Sequence, residues 1–199
     1  MAGAFPISTA QFQSLGIRSI QNTIISKSQS GKKLARQVDG QRWSFTARII
    51  TAKRSDVYGQ LMAFIIKQRS GKENFTIVPP EVEDARGTAS GTPTGTASAG
   101  ATSITLGGSG TGTLKAGDFI KFANHSKVYM VVADQSDIST GTLTIEPPLT
   151  TAVSSSDIQY DDVPFTVYLT NDIQEFGVVG AGQDGTLLYQ FEFDVEEAL

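Results

Sequence analysis

The chain has no cysteine and only one histidine, His125. Without cysteine it can form no disulfide, no thiolate nucleophile and no cysteine-ligated zinc site. Any Ser-His-Asp arrangement would depend on His125, which lies in a polar turn with no neighbour in sequence to orient it as a base. The sequence therefore predicts a surface histidine, no catalytic residue, no cofactor and no metal site, in a protein that is not an enzyme.

Long hydrophobic runs are also absent. The longest, at residues 61–66 and 128–133, fall far short of the roughly 20 residues that a membrane-spanning helix needs. The first residues lack the basic stretch and apolar core that are typical of a signal peptide. We therefore expect a soluble protein with no membrane insertion and no export by a signal sequence.

Acidic residues are scarce in the first part of the chain. Residues 1–80 contain 12 Lys or Arg and three Asp or Glu, a net charge of +9. Residues 81–199 contain four basic and 17 acidic side chains, a net charge of −13. The net charge of −4 thus hides a bipolar chain, and such polarity favours docking onto copies of itself or onto neighbours over catalysis.

Bulky and charged side chains are nearly missing from residues 87–113, here named the small-residue segment. Apart from Ile104 and Leu106 it contains only Gly, Ala, Ser, Thr and Pro. Its first part is predicted to be a weakly packed connection at a domain boundary. The segment lacks the Lys-Ser or Lys-Thr ending of a phosphate-binding loop, so it is a weak candidate for a nucleotide site.

Apolar and polar residues alternate in two segments, with the period of half-buried β-strands. The apolar positions are Trp43, Phe45, Ala47 and Ile49 in the first segment, and Leu187, Tyr189, Phe191, Phe193 and Val195 in the second. Asp39-Gly40 and Asp184-Gly185 stand before these segments as turns. Each predicted strand is therefore expected to form a hairpin with the segment before it, roughly residues 17–35 for the first strand and 165–179 for the second.

One amphipathic helix is predicted between Ser55, placed to cap its start, and Gly71. Short strand patterns follow at residues 103–106, 119–122, 128–133, 142–146 and 158–160, which is the spacing of a small five-stranded β-barrel. We expect a mainly β protein with one helix. A split β-barrel or sandwich domain is formed by residues 1–86 and 164–199, and residues 87–163 form an inserted small β-barrel that can be deleted without unfolding the rest.

Charged clusters give no clear binding site. The acidic groups at residues 134–137 and 157–162 lack the ligand spacing of a calcium loop and are more typical of solvated turns. Basic residues between 32 and 42 precede Trp43 and Phe45, but these aromatic residues occupy the buried register of a strand. Protein contacts explain the basic group at least as well as nucleic-acid binding does.

The order of elements resembles the distal tail proteins of long-tailed bacteriophages and the tail-tube fold to which they are related. The order is a hairpin, a strand, a capped helix, a strand ending in Pro-Pro, an inserted small barrel and a closing hairpin. The resemblance rests on GQRWSFTAR (residues 40–48), FTIVPP (75–80), ATSITL (101–106), LKAGDFI (114–120), YMVVAD (129–134), LTIEPPL (143–149) and the ending FEFDVEEAL (191–199).

The resemblance implies a structural virion protein that forms a ring, expected to be hexameric, at the tip of the tail and is assembled in the host cytoplasm. The implied partners are copies of the chain itself, the tail tube protein, the hub or fibre proteins, and phage DNA in transit. The alternative within the same fold is a tail-tube, terminator or collar ring.

Strand alternation places two rows of charged residues on outer faces of the predicted sheet. In a ring, a row of carboxylates on the lumen would keep DNA from sticking, and the row assigned there is Glu192, Asp194 and Glu196. The residues assigned to contacts between subunits or rings are Lys32, Lys33, Arg36, Arg42 and Arg48. In the simpler alternative, the two rows pair with each other across the sheet.

A second hypothesis is that the inserted barrel binds carbohydrate on the host surface, because small β-barrels of this kind present loops suited to oligosaccharides. The residues that would stack on a sugar are Phe122, Tyr129 and Tyr160, although burial of at least two of them is the stronger expectation.

Overall fold

The structure is a computed structural model that describes residues 3–7, 11–38, 40–80 and 82–199. Six strands precede the barrel: β1 (Phe12–Ile20), β2 (Thr23–Lys27), β3 (Lys33–Gln37), β4 (Arg42–Ile49), β5 (Ala52–Lys53) and β6 (Phe75–Ile77). The barrel contains β7 (Pro93–Ala97), β8 (Ser103–Gly108), β9 (Phe119–Phe122), β10 (Val128–Val131), β11 (Thr142–Glu146) and β12 (Val153–Gln159). The last four are β13 (Phe165–Leu169), β14 (Gly177–Ala181), β15 (Leu187–Gln190) and β16 (Glu192–Glu197).

The strands outside the barrel, together with the helix, form what we name the body. Its main element is an antiparallel five-stranded sheet in the order β1–β4–β16–β13–β6. The alternation read from the sequence is confirmed, because Phe45, Ala47 and Val195 are buried on the inner face of this sheet. A three-stranded sheet, β14–β15–β5, and the separate β2–β3 hairpin complete the body. The prediction of a mainly β fold with a small barrel is confirmed.

The two predicted hairpins have different outcomes. The turn at Asp184-Gly185 joins β14 to β15, and Gly185 has a φ of +76° there, so this turn is confirmed. β4 pairs with β1, of which residues 17–20 lie in the predicted partner segment, while β2 and β3 of the same segment pair with each other. Asp39 of the other predicted turn lies outside the described residues.

The predicted closing strand is in fact two strands that belong to different sheets. β15 pairs with β14 and β5, whereas β16 pairs with β4 and β13. The chain passes from one sheet to the other at Phe191, which is buried. Leu187, on the apolar register of the sequence pattern, is exposed because the three-stranded sheet is covered less completely than the five-stranded one.

The predicted helix is present as α1 (Gly59–Lys67), with one π-helical turn before it at Arg54–Tyr58. Ser55 does not cap it, since its hydroxyl instead bonds to the Asp56 carboxylate. The backbone N–H of Gly59 donates to the Arg54 carbonyl, and a Cβ at position 59 would lie 2.8 Å from that oxygen. Glycine at this position therefore permits the π-helical turn. A short 3₁₀ turn, Ser70–Lys72, follows the helix.

The inserted barrel closes with six strands, in the order β10–β11–β8–β7–β12–β9, rather than with the five predicted. The additional strand is β7, which lies within the small-residue segment and has no apolar pattern. Gly95 points into the barrel, where a Cβ would lie 2.7 Å from the Phe122 ring and 2.9 Å from Ile104. Large neighbours thus fill the space that a side chain on β7 would occupy.

The small-residue segment is not the weakly packed connection predicted from its composition. Ser90 and Thr111 exchange backbone hydrogen bonds of 2.9 and 2.8 Å, and the backbone N–H of Thr88 donates to the Thr113 hydroxyl at 3.2 Å. The segment also supplies β7 and β8 to the barrel. The prediction was wrong because these small residues allow backbones to approach closely, rather than leaving the chain loose.

The barrel and the body share part of one hydrophobic core. The ring centroids of Trp43 and Phe119 are 5.1 Å apart, and those of Phe119 and Phe165 are 5.7 Å apart. Phe119 and Val128 of the barrel belong to the same buried cluster as the inner face of the five-stranded sheet. The rest of the barrel interior forms a second cluster. The two units are therefore packed together rather than tethered.

Candidate interaction surfaces

The outer face of the five-stranded sheet is charged, and we name it the charge-paired face. Antiparallel register places three adjacent strands of this face side by side. Its basic members are Arg18, Arg42 and Arg48, and its acidic members are Glu192, Asp194 and Glu196. The equal numbers of opposite charges leave this face with no net charge.

The two charged rows on this face contact each other. Arg42 Nη1 lies 3.0 Å from Glu196 Oε1, and Arg48 Nε lies 3.8 Å from Glu192 Oε2. Asp194 accepts a hydrogen bond of 2.6 Å from the Thr46 hydroxyl. The prediction that divided the acidic residues and these arginines between two surfaces is therefore corrected. β4 and β16 are neighbours in register, so the two rows occupy one surface.

The other three basic residues of the predicted set lie on the β2–β3 hairpin. Lys32 is in the turn, where its backbone N–H donates to the Ser28 hydroxyl at 3.1 Å, while Lys33 and Arg36 lie on β3. Every residue of β2 and β3 is exposed. The basic residues assigned together from the sequence thus belong to two places, the hairpin and the sheet.

The three aromatic residues considered for sugar stacking lie inside the barrel. Phe122 and Tyr129 are completely buried, and Tyr160 is 7% exposed. The Tyr160 hydroxyl donates to the Gly91 carbonyl at 2.9 Å. A sugar needs an open ring face, so the assignment of carbohydrate binding to these residues is wrong. Their ring faces are used by the barrel core.

His125 is not the isolated surface residue that the sequence predicts. Its Nδ1 lies 2.7 Å from Asn124 Oδ1 and its Nε2 lies 2.8 Å from the Tyr129 hydroxyl. The Asn124 amide nitrogen donates to the Ala152 carbonyl at 2.9 Å, which turns Oδ1 toward the ring. Nδ1 therefore carries the hydrogen and the Tyr129 hydroxyl donates to Nε2. Burial, together with the nearby Lys121 charge, lowers the pKa of His125.

We expect His125 to make folding stability depend on pH. The unfolded chain binds a proton on this residue near the ordinary pKa of 6.5, whereas the folded chain keeps the ring neutral to lower pH. Its stabilising contribution is therefore complete above about pH 6.5 and is lost as the pH falls through the folded-state pKa. Urea unfolding at about pH 7.5 and about pH 5 measures the effect. His125→Gln should remove this part of the pH dependence, and an unchanged pH dependence in the variant would contradict it.

A buried polar cluster that sequence reasoning missed joins the barrel to the body. Lys127 Nζ forms a salt bridge with Glu197 Oε2 and donates to Gln41 Oε1 at 2.8 Å. Glu197 also accepts hydrogen bonds from the backbone N–H groups of Trp43, at 3.2 Å, and Val128, at 2.9 Å. The two charged side chains are 2% and 0% exposed. One carboxylate of β16 thus binds both β4 of the body and β10 of the barrel.

The residues around this polar cluster also link the barrel to the body. The Trp43 indole N–H donates to the Val128 carbonyl at 2.9 Å, and Lys127 Nζ lies 5.9 Å from the centre of the Trp43 ring. Burial lowers the pKa of Lys127, and the Glu197 charge opposes this effect. Because a buried charge without its partner is costly, the pair favours one orientation of the barrel on the body.

The described ranges contain neither a metal-binding cluster nor a membrane-spanning helix. Within them, no three or more His, Asp or Glu side chains are grouped so that they could hold a metal ion. No helix in this part of the chain has both the length and the apolar character needed to cross a membrane.

Comparison with known proteins identifies the barrel. Residues 82–161 match the family model of the B domain of distal tail protein pb9. The matched range includes all six barrel strands, although it is less than half of the chain. No curated protein matches the chain. The resemblance to the bacteriophage distal tail proteins is therefore confirmed: the chain carries a distal tail protein B domain as its barrel, and its role in the phage tail is structural.

Proposed function

We propose that the chain forms a closed ring of six copies at the distal end of a phage tail. The ring joins the tail tube to hub or fibre proteins and is assembled in the host cytoplasm. The observation that carries the proposal is the match of the barrel to the B domain of a distal tail protein. Such a role requires no catalytic residue, and we infer that the protein is not an enzyme. A tail-tube, terminator or collar ring is the alternative position.

We further propose that the charge-paired face lines the channel through which DNA passes. The opposite face of the same sheet is buried in the core and is therefore closed to other molecules. A lumen with a net positive charge would retain DNA through its phosphates. On the charge-paired face, Glu192 and Glu196 neutralise Arg48 and Arg42, so that a passing duplex meets no net attraction.

The ring is tested on the purified chain and on virions. We expect closed rings with a central opening in electron micrographs and a hexamer in native mass spectrometry. An antibody against the chain should label virions only at the tail tip. Label at the collar or along the tube would support the alternative positions, and a chain that stays monomeric would reject the ring.

Reversing the acidic row should convert the channel into a DNA-binding surface. With Glu192, Asp194 and Glu196 all replaced by Lys, the assembled ring should retain double-stranded DNA in a salt-dependent manner, because each new phosphate contact releases counterions. The unmodified ring should not retain DNA under the same conditions. Binding is measured by fluorescence anisotropy of labelled duplex over a range of salt concentrations.

A charge swap provides the matched control for this experiment. Exchanging Arg42 and Arg48 for Glu, and Glu192 and Glu196 for Arg, keeps both the cross-strand pairs and the net charge. The swapped ring should therefore leave DNA unbound. Equal DNA binding by the Lys variant and the unmodified ring would show that this face does not line the channel.

A further inference from the structure

The β2–β3 hairpin carries apolar side chains that nothing in the described chain covers. Ile24 is 62% exposed, Ile25 is 56% exposed and Leu34 is 51% exposed. The register pairs Ile24 with Arg36 and Ser26 with Leu34, so Ile24, Leu34 and Arg36 lie on one face of the hairpin. A two-stranded hairpin is only marginally stable by itself. Its exposed apolar face therefore indicates a surface that packs against a partner.

The charge of the hairpin limits what this partner can be. No acidic residue precedes Asp39 in the sequence, and the hairpin carries Lys27, Lys32, Lys33 and Arg36. A surface that receives the hairpin must combine an apolar floor with negative charge at its edge, because like charges placed together would oppose docking.

A groove with these two properties lies where the body meets the barrel, and we name it the acidic groove. It has a volume of about 320 Å³, and its apolar lining includes Phe5, Ile7 and Val78. Glu83 and Asp162 are two acidic residues among those that line it. They come from the two connections between body and barrel, which the hydrogen bond from the Asp162 N–H to the Glu83 carbonyl holds together. In the described part of the chain, neither carboxylate forms a salt bridge with a Lys or Arg.

We propose that the hairpin of one copy of the chain docks into the acidic groove of the next copy. Ile24 and Leu34 cover the apolar floor, and Arg36 pairs with Glu83 and Asp162. A head-to-tail ring requires two different complementary surfaces on each subunit, and the hairpin and the groove are such a pair. A five-residue strand extends about 17 Å, which is enough to cross a subunit boundary. The inference rests on the proposed ring and adds the contact that closes it.

The competing site is the cleft between the β1–β4 edge and the barrel. It is lined by Trp43, Met130 and Pro147, and it is larger, at about 430 Å³. Its only carboxylate among the described lining residues is Glu146. The acidic groove has two acidic residues among those that line it, so it complements the basic hairpin better.

Because the chain has no cysteine, engineered pairs report the contact directly. Leu34→Cys on the hairpin and Val78→Cys in the groove are introduced into separate copies, which are mixed and mildly oxidised. We expect a disulfide-linked dimer between the two kinds of copy, and a ladder of oligomers when both changes are in one chain. Leu34→Cys combined with the highly exposed Ile173→Cys is the matched control and should give no ladder.

The outcomes separate this inference from the ring itself. A Pro147→Cys variant places the second cysteine in the competing cleft instead of the acidic groove. If rings assemble but Leu34→Cys cross-links to Pro147→Cys, or to neither Pro147→Cys nor Val78→Cys, the docking is overturned and the proposed ring stands. A chain that never assembles would overturn both.

A charge swap tests the same contact without cysteine. Arg36→Glu should weaken association about tenfold or more, because it removes the charge pair and places like charges together. Adding Glu83→Arg and Asp162→Arg should restore it. Loss without rescue would reject the pairing.

Discussion

Replacing Glu197 by alanine is expected to lower the free energy of unfolding by about 3–5 kcal/mol. Among the described residues, the change leaves the Lys127 ammonium group buried with the Gln41 oxygen as its one remaining hydrogen-bond acceptor. It also removes the acceptor for the backbone N–H groups of Trp43 and Val128. Unpaired buried donors and an unpaired buried charge are among the most costly defects in a folded protein.

Glu192→Ala is the matched control, since it removes the same side chain from the same strand. Its partner Arg48 is 45% exposed and Glu192 itself is 57% exposed, so the pair is screened by water. We expect this variant to lose less than about 1 kcal/mol. Urea unfolding followed by the fluorescence of Trp43, the single tryptophan and a neighbour of the cluster, measures both variants. Equal losses in the two variants would show that the junction is not held by this cluster.

A double replacement separates the two contributions of Glu197. Lys127→Met combined with Glu197→Leu removes both charges, and buried ion pairs exchanged for apolar residues of similar size are often neutral. The N–H groups of Trp43 and Val128 still lose their acceptor. We therefore expect the double variant to recover part of the loss caused by Glu197→Ala, but not all of it.

Part of this junction is visible in the sequence. Phe193 and Val195 establish a buried register on β16, and Glu197 is the next position on it. A carboxylate on a buried register indicates a buried partner, and this signal was available. The sequence does not indicate which residue is the partner, because Lys127 lies 70 residues away and meets Glu197 only through the docking of the barrel.

Neither the barrel strand β7 nor the acidic groove could be predicted, because both depend on residues that are distant in sequence and close in space. Five of the six barrel strands overlap the strand patterns predicted from the sequence. β7 has no apolar pattern of its own, because its inward positions are Pro93 and Gly95. The side chains of Phe122 and Ile104 fill the barrel interior beside Gly95. The acidic groove is assembled from segments far apart in sequence, so no local pattern could indicate it.

Deleting residues 87–163 is expected to abolish the cooperative thermal transition of the remaining chain. The composition of the small-residue segment predicts the opposite, a body that stays folded without its insert. The shared core is the reason for the difference. The deletion removes Phe119 and Val128 from the buried cluster around Trp43, and it removes Lys127 from Glu197. Loss of a large buried aromatic side chain alone costs about 3–5 kcal/mol, a large fraction of the stability of a typical domain.

The test compares two deletions by calorimetry and by the emission of Trp43. In the chain without 87–163, with Arg86 and Pro164 joined by a short linker, Trp43 should emit like a solvated indole, since its buried neighbours are gone. Deleting the exposed hairpin at residues 23–37 is the control and should leave both the transition and the emission of Trp43 close to those of the full chain. A sharp transition in the chain without its barrel, with Trp43 still shielded, would show that the body contains a complete core of its own.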